Sequence, residues 1–455
     1  MIVRISPVAL HSSSSMEQDI SPIEASVPPD KSILHRLLLI GSLTRSAFRI
    51  PIDSPHSISH DVIATMLALE SLGVPVEFSD VGIELNGVGR KGYRMPSHSI
   101  NCANSGTTAR LLLGLLSGQP FNSTLTGDSS LITRPMKRVA ECLAKMGANI
   151  ATTQSGTLPA KIVGQNLHGA EISLTTPSAQ MKSAIILAGL FADSPTTVSG
   201  KIQSRDHTER MLSSFGFGID ISDEITIRPE VVSDLDEEIV YAVPGDFSCA
   251  AFLFATAILL RKRVTVKNVG LNPSRTRFLD MLTLMGAECE ATNVVEEWNE
   301  PCGDITVFGD RLTEPIEPIN ISGDDVPLLI DELPILMTLS IFANGESGFR
   351  GVSELRLKES DRIGLVANQF KGFGVEVEEL EDGLIVQGVP ERQLSVAPII
   401  HGGDHRLAMA FSVAALFCES EVFIEEAESV GISYPNFYSD LGRIAGQKMV
   451  DVSLV

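Results

Sequence analysis

Hydrophobic and polar positions along the chain form a pattern that recurs several times. In each instance a helix-like segment ends in a hydrophobic residue, a glycine follows, and an alternating apolar and polar run comes next. The five clear instances lie 69 to 88 residues apart, at Gly73, Gly147, Gly216, Gly286 and Gly374. A glycine after a helix can adopt the left-handed conformation, and alternation with period two is typical of a strand. With a weaker sixth helix end at Gly442, the pattern predicts five or six small α/β units.

A second recurring feature is a polar, turn-rich cluster directly before a long apolar helix. It occurs in residues 30–43, 104–116, 177–190, 245–260 and 403–416. Each cluster supplies side chains that can cap a helix, and apolar residues nearly all round the helix predict burial. Helix starts can also bind anions through free N–H groups and the helix dipole. Ordinary capping explains any one cluster, but five clusters, four of them with Lys or Arg, favour an anion site.

Composition is typical of a globular cytoplasmic protein. The 455 residues are 44% hydrophobic and 20% charged, and the length predicts two or three domains. The net charge of −22 argues against nucleic acid or an anionic membrane as the main partner. The longest apolar runs, 249–260 and 407–418, are 12 residues long, whereas a bilayer needs roughly 20. The N-terminus lacks a signal-peptide core and cleavage site, so we expect a cytoplasmic location.

The six cysteines are scattered and form no C-x-x-C pair. This spacing fits neither a disulfide framework nor a zinc site, and it predicts buried, reduced thiols. The sequence also lacks a phosphate-binding G-x-x-x-x-G-K-[ST] loop, a strand–G-x-G-x-x-G–helix motif and an H-E-x-x-H motif. We therefore predict no metal and no nucleotide cofactor.

Basic residues concentrate in the polar clusters and in the loop-like segments 133–138, 204–210 and 354–364. Those in the clusters are Lys31, Arg36, Arg110, Lys182 and Arg406. Arg offers a planar fork for carboxylate or phosphate, and Lys offers a compact charge. In an acidic protein, this concentration favours a pocket for two anionic groups or two anionic substrates. The alternative is that each cation simply pairs with one of the many acidic residues.

Two acidic segments lie close to these bases in the sequence. Asp331 and Glu332 stand at or near the start of an apolar helix, and Glu359 lies between Lys358 and Arg362. Two carboxyl groups in different surroundings can divide the roles of acid and base. The alternatives are pairing with the helix dipole for the first segment and a solvated helix face for the second.

Eleven segments together resemble the 5-enolpyruvylshikimate-3-phosphate (EPSP) synthase family from about Val27 to Gly442. They are PPDKSILHR, CANSGTTARLLLGLLSG, SLITRPMKR, SAQMKSAIILAGL, SRDHTERML, PGDFSCAAF, GLNPSRTRFLDMLTLMGA, IDELPIL, ELRLKESDRI, GDHRLAMAF and ISYPNF. One segment would be a weak signal, whereas eleven in order make a specific match.

The resemblance implies an α/β fold of two similar domains, each built from three βαβαββ-type units around buried parallel helices. One domain would comprise residues 30–243, and the other residues 1–29 plus 244–455. The family transfers the enolpyruvyl group of phosphoenolpyruvate to the 5-hydroxyl of shikimate 3-phosphate through a tetrahedral intermediate in an interdomain cleft, and it releases phosphate. It uses no cofactor, and monomers are the family expectation.

The resemblance also implies residue roles. Catalysis would fall to Lys31, Asp331, Glu359 and His405. Phosphoenolpyruvate would be bound by Lys31, Asn104, Gly106, Thr107, Arg134, Gln180, Arg362 and Arg406. Shikimate 3-phosphate would be bound by Lys31, Ser32, Arg36, Ser178, Ala179, Gln180, Ser204, Arg205, Asp331 and Lys358. Departures from the family pattern occur at Pro29, Leu34, His60, Ala103, Ile132 and Thr133.

Three alternatives to this activity stay open. The sister enolpyruvyl transferase acts on UDP-N-acetylglucosamine and uses a loop cysteine, which has no counterpart in a Gly/Arg-rich loop here. A catalytically silent paralogue would bind anionic metabolites or a partner protein without turnover. A variant acceptor substrate is the third alternative, although the residues give no reason to prefer it.

Overall fold

A computed structural model describes residues 1–8, 21–52, 54–229, 235, 238–390 and 393–453. Part of the N-terminal segment, on which the expectation of no signal peptide rests, lies outside these residues. In the described chain, no helix is both long and apolar enough to cross a membrane.

The buried helices form where the apolar segments predict them. The α-helices of the described residues are α1 (Lys31–Ser42), α2 (His60–Ser71), α3 (Gly106–Ser117), α4 (Lys137–Ala144), α5 (Ala179–Gly189), α6 (His207–Ser214), α7 (Phe247–Leu259), α8 (Arg277–Leu284), α9 (Val326–Leu329), α10 (Leu333–Ser340), α11 (Arg362–Gly372), α12 (His405–Ala415) and α13 (Phe437–Ala445).

Short strands alternate with these helices. They are β1 (Ile2–Ile5), β2 (Ile23–Ala25), β3 (Ala47–Ile50), β4 (Val76–Ser79), β5 (Gly82–Asn86), β6 (Ile100–Asn101), β7 (Ser123–Thr126), β8 (Asn149–Ala151), β9 (Ala160–Val163), β10 (Glu171–Leu174), β11 (Thr196–Gly200), β12 (Ile219–Ile221), β13 (Ile225–Ile227), β14 (Glu238–Val240), β15 (Arg263–Gly270), β16 (Cys289–Glu297), β17 (Glu300–Phe308), β18 (Asn320–Ile321), β19 (Glu346–Phe349), β20 (Val377–Leu380), β21 (Gly383–Gln387), β22 (Val422–Ile424) and β23 (Val450–Ser453).

The described strands assemble into six small sheets, five with four strands and one with three. In sheet β10-β11-β13-β12, β10 pairs parallel with β11, while β13 pairs antiparallel with both β11 and β12. The element order β10–α5–β11–α6–β12–β13 is the predicted βαβαββ unit. The orders β6-β7-β9-β8 and β18-β19-β21-β20 repeat it. The three-stranded sheet β22-β1-β23 departs from it, since both of its strand pairs are antiparallel.

The glycine signature marks real helix ends. Gly73, Gly147, Gly216, Gly286 and Gly374 all have φ between 71° and 95°, and each comes shortly after a helix and before a strand. The prediction at Gly442 is wrong. That glycine lies inside α13, which continues to Ala445 and ends at Gly446, with φ 118°.

The polar clusters cap the buried helices as predicted. In each case a side-chain oxygen accepts a hydrogen bond from a backbone N–H of the first turn, which satisfies a donor that the helix leaves unpaired. The capping residues are Asp30, Ser105, Ser178, Asp246 and Asp404, at the starts of α1, α3, α5, α7 and α12.

The chain divides into two compact units. One comprises Met1–Pro28, Pro244–Val295 and Pro301–Val455, and the other comprises Pro29–Val243 and Glu296–Glu300. We call them the split unit and the central unit. Each has its own apolar core, which surrounds α7, α10 and α12 in the split unit and α1, α3 and α5 in the central unit. That each unit folds as an independent domain with the predicted boundaries stays a prediction.

Candidate active site

In the central unit, the first residue of α1 forms an ion pair. Lys31 Nζ lies 2.8 Å from Asp61 Oδ2, and both side chains are largely buried. Five residues later, Arg36 is 3% exposed and donates from Nε to Thr208 Oγ1 at 2.7 Å. Its Nη2 donates to Ser183 Oγ at 3.0 Å. Two predicted anion-binding cations therefore stand on one helix, held in fixed directions.

The start of α3 carries a second group of predicted residues. Arg134 Nη2 donates to Asn104 Oδ1 at 2.6 Å, and Asn104 Nδ2 donates to Asp128 Oδ2 at 2.7 Å. Gly106 is the first residue of α3, and a Cβ there would lie 2.7 Å from Arg110 Nη1 and 3.4 Å from Arg134 Nη1. The missing side chain leaves room for both guanidinium groups beside a helix N-terminus.

Arg110 joins this group to α5. Its Nη1 donates to Gln180 Oε1 at 2.7 Å, and Gln180 Nε2 donates to Thr107 Oγ1 at 2.9 Å. The sequence singles out Arg110 as a basic residue but assigns it no substrate. In the structure it fixes the orientation of the Gln180 amide, so it belongs to the candidate site.

The shikimate-phosphate candidates lie at the starts of α1 and α5 and before α6. Ser178 caps α5 by accepting from Met181 N, and Ala179 is the first residue of that helix. Arg205 Nη1 donates to Ser32 Oγ at 3.2 Å, which links the segment before α6 to the start of α1. Ser204 is 9% exposed, and its hydroxyl donates to Ile202 O at 3.3 Å.

Lys182 differs from the expectation for a basic residue at a helix start. Its Nζ lies 2.6 Å from Glu209 Oε1, and both side chains are 2% exposed. The sequence grouped Lys182 with cations that could bind an anion. For this residue the alternative is right, because its charge is neutralised internally.

In the split unit, Arg362 is the centre of an acidic cluster. It begins α11 and is 1% exposed. Its Nε lies 2.7 Å from Asp404 Oδ2 and its Nη2 lies 2.6 Å from Glu359 Oε2. Burial alone would lower the pKa of Arg362, but the carboxylates of Asp404, Glu359 and Asp331 outweigh that effect and raise it above its ordinary value. The residue is therefore a permanent cation.

One guanidinium nitrogen of Arg362 is left over. Nη1 is buried and has no hydrogen-bond partner in the described part of the chain, and its ion-pair distance to Asp331 Oδ1 is 3.9 Å. A buried donor without an acceptor is unfavourable by about 1–3 kcal/mol. Such a donor indicates a place where an anionic ligand can be accepted.

Arg406 brings Asp331 to the same cluster. Its Nη2 lies 3.3 Å from Asp331 Oδ2, and its Nη1 donates to the backbone carbonyl of Asp331 at 3.1 Å. Asp331 directly precedes Glu332, the N-cap of α10, and Pro334 stands in the first turn as predicted. Two cations and two candidate acids, Asp331 and Glu359, are therefore in contact.

The remaining predicted residues of the split unit flank this cluster. His405 is the first residue of α12 and is 1% exposed, and Lys358 is half-buried. The alternative of an exposed helix face for residues 358–362 is wrong, because α11 begins only at Arg362. Lys358 and Glu359 lie in the turn before that helix.

Cysteine burial is only partly as predicted. All six cysteines are free thiols, but Cys142 and Cys289 are half-buried rather than buried. Across the described residues, no group of three or more His, Cys, Asp or Glu side chains is arranged to hold a metal ion.

Sequence reasoning missed Asp61, Glu209 and Asp404 as partners of basic residues, and Asp128 as the partner of Asn104. Asp404 could have been found, since it is the residue at the start of the cluster 403–416 that is able to cap a helix, and a cap points its side chain at the helix start. Asp61, Asp128 and Glu209 lie 24 or more residues from their partners along the chain, and no local signal marks such a pairing.

Comparison with known proteins agrees with this fold. The chain is similar over its whole length to an EPSP synthase structure from Acinetobacter baumannii, with a TM-score of 0.81, 35% identity and 100% of each chain covered. It also matches the enolpyruvyl transferase NikO from Streptomyces tendae, with a TM-score of 0.73 and 14% identity over 100% of this chain and 99% of that one. The fold is therefore that of the enolpyruvyl transferases.

Sequence comparison narrows this class. The family model EPSP synthase (3-phosphoshikimate 1-carboxyvinyltransferase) matches residues 18–441. A 3-phosphoshikimate 1-carboxyvinyltransferase from Limosilactobacillus fermentum is 42% identical, with 93% of this chain and 96% of that protein covered. One from Herpetosiphon aurantiacus is 43% identical over 92% of this chain and 96% of that protein. The chain belongs to the EPSP synthase family, a family of transferases of the shikimate pathway. The family prediction is confirmed.

Proposed function

We propose that this chain transfers the enolpyruvyl group of phosphoenolpyruvate to the 5-hydroxyl of shikimate 3-phosphate and releases phosphate. The observation that carries the proposal is the arrangement around Arg362. One of its nitrogens is buried without a partner, and Arg406 lies on the other side of Asp331. The carboxylate of phosphoenolpyruvate would supply the missing acceptor, since a guanidinium binds a carboxylate through a planar pair of hydrogen bonds.

Carboxylate binding at Arg362 would also prepare the acid. Without substrate, Glu359 Oε2 is bound to Arg362 Nη2 at 2.6 Å, and this contact favours the ionised form of Glu359. A substrate carboxylate that takes over the guanidinium would release Glu359 and make it easier to protonate. Glu359 would then be ready to donate its proton only when phosphoenolpyruvate is present.

The reaction then needs two proton transfers to form the tetrahedral intermediate and two more to break it down. Glu359 would protonate the methylene carbon of phosphoenolpyruvate. Asp331 would take the proton of the 5-hydroxyl while the hydroxyl oxygen bonds to C2 of phosphoenolpyruvate. The tetrahedral intermediate would lose phosphate, which would take up the proton held by Asp331, and Glu359 would remove a proton from the new methyl group to restore the enol double bond. Lys31 and Arg134 would stabilise the phosphate as it leaves.

The central unit would hold the second substrate. Ser32, Ser178 and Ser204 present hydroxyl groups at helix starts or directly before one, and Arg36 and Arg205 supply positive charge. Helix N-termini with such side chains bind phosphate readily. The reaction would therefore need both units, since Asp331 and Glu359 belong to the split unit. The interdomain cleft, the cytoplasmic location and the monomeric state stay predictions.

The test is phosphate release by the purified protein with phosphoenolpyruvate and shikimate 3-phosphate. We expect release only when both substrates are present, and a loss of at least about a hundredfold in Glu359→Ala, since an acid–base group contributes about 10²–10⁴-fold. Glu378→Ala is a matched control, because Glu378 is exposed on β20 of the same unit.

Other outcomes would favour the alternatives. Phosphate release with UDP-N-acetylglucosamine in place of shikimate 3-phosphate would point to the sister transferase. A folded protein that binds shikimate 3-phosphate tightly without any turnover would be a silent paralogue, and the proposal would then be wrong.

A further inference from the structure

The segment between β11 and α6 carries Ser204 and Arg205, and a buried lysine holds it in place. Lys182 Nζ donates to the backbone carbonyl of Ile202 at 3.0 Å and to that of Ser204 at 3.3 Å. Its third acceptor is Glu209 Oε1 on α6, at 2.6 Å. An ammonium group has three N–H donors, so these acceptors use its full capacity.

This pair is neutral overall and lies out of reach of solvent, since both side chains are 2% exposed. A lysine with a buried counter-ion and three filled donors is not a ligand for an incoming phosphate. Its two carbonyl contacts instead fix the backbone of a segment that connects a strand to a helix. The geometry therefore assigns Lys182 a role in positioning rather than in charge.

The neighbours of the pair hold a second predicted ligand. Ser183 follows Lys182 and Thr208 precedes Glu209, and both hydroxyl groups accept hydrogen bonds from Arg36. The Ser183 and Thr208 hydroxyls also lie 2.7 Å apart. Bringing α5 and α6 together through Lys182 and Glu209 therefore also places the two acceptors of Arg36.

We propose that the Lys182–Glu209 pair is a positioning device for shikimate 3-phosphate, which pre-orders Ser204, Arg205 and Arg36 before the substrate arrives. This inference rests on the proposed function. A segment that is already ordered loses less conformational entropy on binding, so pre-ordering strengthens affinity without adding a contact. The pair acts through other residues and does not itself touch the substrate.

The test variant is the double substitution Lys182→Met with Glu209→Leu. It removes both charges together and keeps similar volume, which avoids a lone buried charge. The Ile202 and Ser204 carbonyls lose their contacts with the lysine, and Ile202 O keeps only the Ser204 hydroxyl as a donor. We expect the dissociation constant of shikimate 3-phosphate, measured by calorimetry without phosphoenolpyruvate, to rise at least about tenfold, which corresponds to about 1.4 kcal/mol. The KM for phosphoenolpyruvate at saturating shikimate 3-phosphate should change by less than about threefold.

Tyr93→Phe is the matched control. Tyr93 is buried in the same unit and its hydroxyl pairs with Ser42 Oγ at 2.5 Å, so this variant loses a buried polar contact away from the segment. It should keep the affinity for shikimate 3-phosphate. If the double variant does not fold, Glu209→Gln is measured in its place, since it keeps an acceptor for Lys182. For this variant we expect the dissociation constant of shikimate 3-phosphate to rise at least about threefold.

Two results would overturn the inference. One is an unchanged affinity for shikimate 3-phosphate in a folded variant, and the other is an equal loss for both substrates, which would indicate general disorder. Failure of the proposed function is separate. A wild-type protein that neither binds shikimate 3-phosphate nor releases phosphate contradicts both, whereas an active wild-type with an unaffected variant contradicts only the positioning role.

Discussion

At the scale of single residues, Ala103 stands in a backbone conformation that favours glycine. Its φ is 48°, and its carbonyl accepts a hydrogen bond from Asp128 N, so the turn before α3 is fixed. The resemblance marked Ala103 as a departure from a family glycine. In the structure this departure places a Cβ in the left-handed region. A Cβ in the left-handed region is unfavourable by about 1–2 kcal/mol.

We predict that Ala103→Gly stabilises the protein by about 1 kcal/mol, because relief of this strain exceeds the extra chain entropy of glycine. Urea unfolding followed by circular dichroism measures the difference. Ala140→Gly, inside α4, is the control and should destabilise by about 1 kcal/mol. A lower stability for Ala103→Gly would contradict the argument.

A second residue makes stability depend on pH. His35 in α1 is completely buried, with Nδ1 2.7 Å from Thr65 Oγ1. Burial lowers the pKa of His35 well below its ordinary value, and the charges of Lys31 and Arg36 lower it further. The folded protein therefore keeps this imidazole neutral at a pH where the unfolded chain takes up a proton.

The lowered pKa of His35 determines how the free energy of unfolding changes with pH. The stabilising contribution is complete above the unfolded pKa of about 6.5, and it is lost as the pH falls below that value, by about 1.4 kcal/mol for each pH unit. We predict that His35→Gln removes this slope, as seen in unfolding free energies measured at pH 7 and pH 5. Parallel pH profiles for wild-type and variant would show that His35 does not contribute.

At the scale of secondary-structure elements, local signals were sufficient for most of the predicted helix boundaries but not for the side-chain partners. Capping and the left-handed glycine depend on a few neighbouring residues, so Asp404 and Gly374 could be placed from sequence. Gly442 failed because packing of α13 overrides a weak local signal. The Lys182–Glu209 pair depends on how α5 and α6 pack, which no periodicity records.

Asp404 combines a cap and an ion pair in one carboxylate. It accepts from Arg406 N at 3.0 Å while it binds Arg362, and it is fully buried. We predict that Asp404→Asn lowers the free energy of unfolding by about 3 kcal/mol, because a cap acceptor is kept but the buried charge of Arg362 loses a partner. Enzymatic turnover should fall at least about tenfold.

The control is Asp361→Asn, since Asp361 also combines a cap with an ion pair, but on the exposed surface. It accepts from Gly364 N and lies 2.7 Å from Arg356 Nη1. Its loss of stability should stay within about 1 kcal/mol. Equal effects of the two variants, measured by chemical unfolding, would mean that burial of the ion pair between Asp404 and Arg362 adds no stability.

At the scale of the whole molecule, five of the repeated α/β units could be predicted from glycine spacing, but the way each sheet is completed could not. β14, nearly 200 residues after β3, pairs parallel with β3, and β1 completes the sheet of β22 and β23. The chain also passes from one unit to the other at more than the two predicted points. Residues 296–300, which comprise the end of β16, the turn after it and the first residue of β17, belong to the central unit.

That turn carries the only tryptophan of the sequence. Trp298 stacks on Tyr241 with ring centres 5.8 Å apart and meets Phe215 edge-on at 5.6 Å. We predict that Trp298→Ala lowers the free energy of unfolding by about 2 kcal/mol, since each aromatic pair contributes about 0.5–1.5 kcal/mol beyond buried area. Trp298→Phe keeps an aromatic ring and should retain most of this stabilisation. Unchanged chemical unfolding of Trp298→Ala would exclude a stabilising role for the turn.

The pairing of β1 with β23 has a consequence for biosynthesis. Ile2 lies opposite Ser453, so β1 leaves the ribosome some 450 residues before the strand with which it pairs. The central unit contains almost all of its sequence within residues 29–243 and can begin to fold while translation continues. In the split unit, β1 instead stays unpaired until β22 and β23 have been synthesised. We therefore expect a chaperone to bind this apolar strand during synthesis.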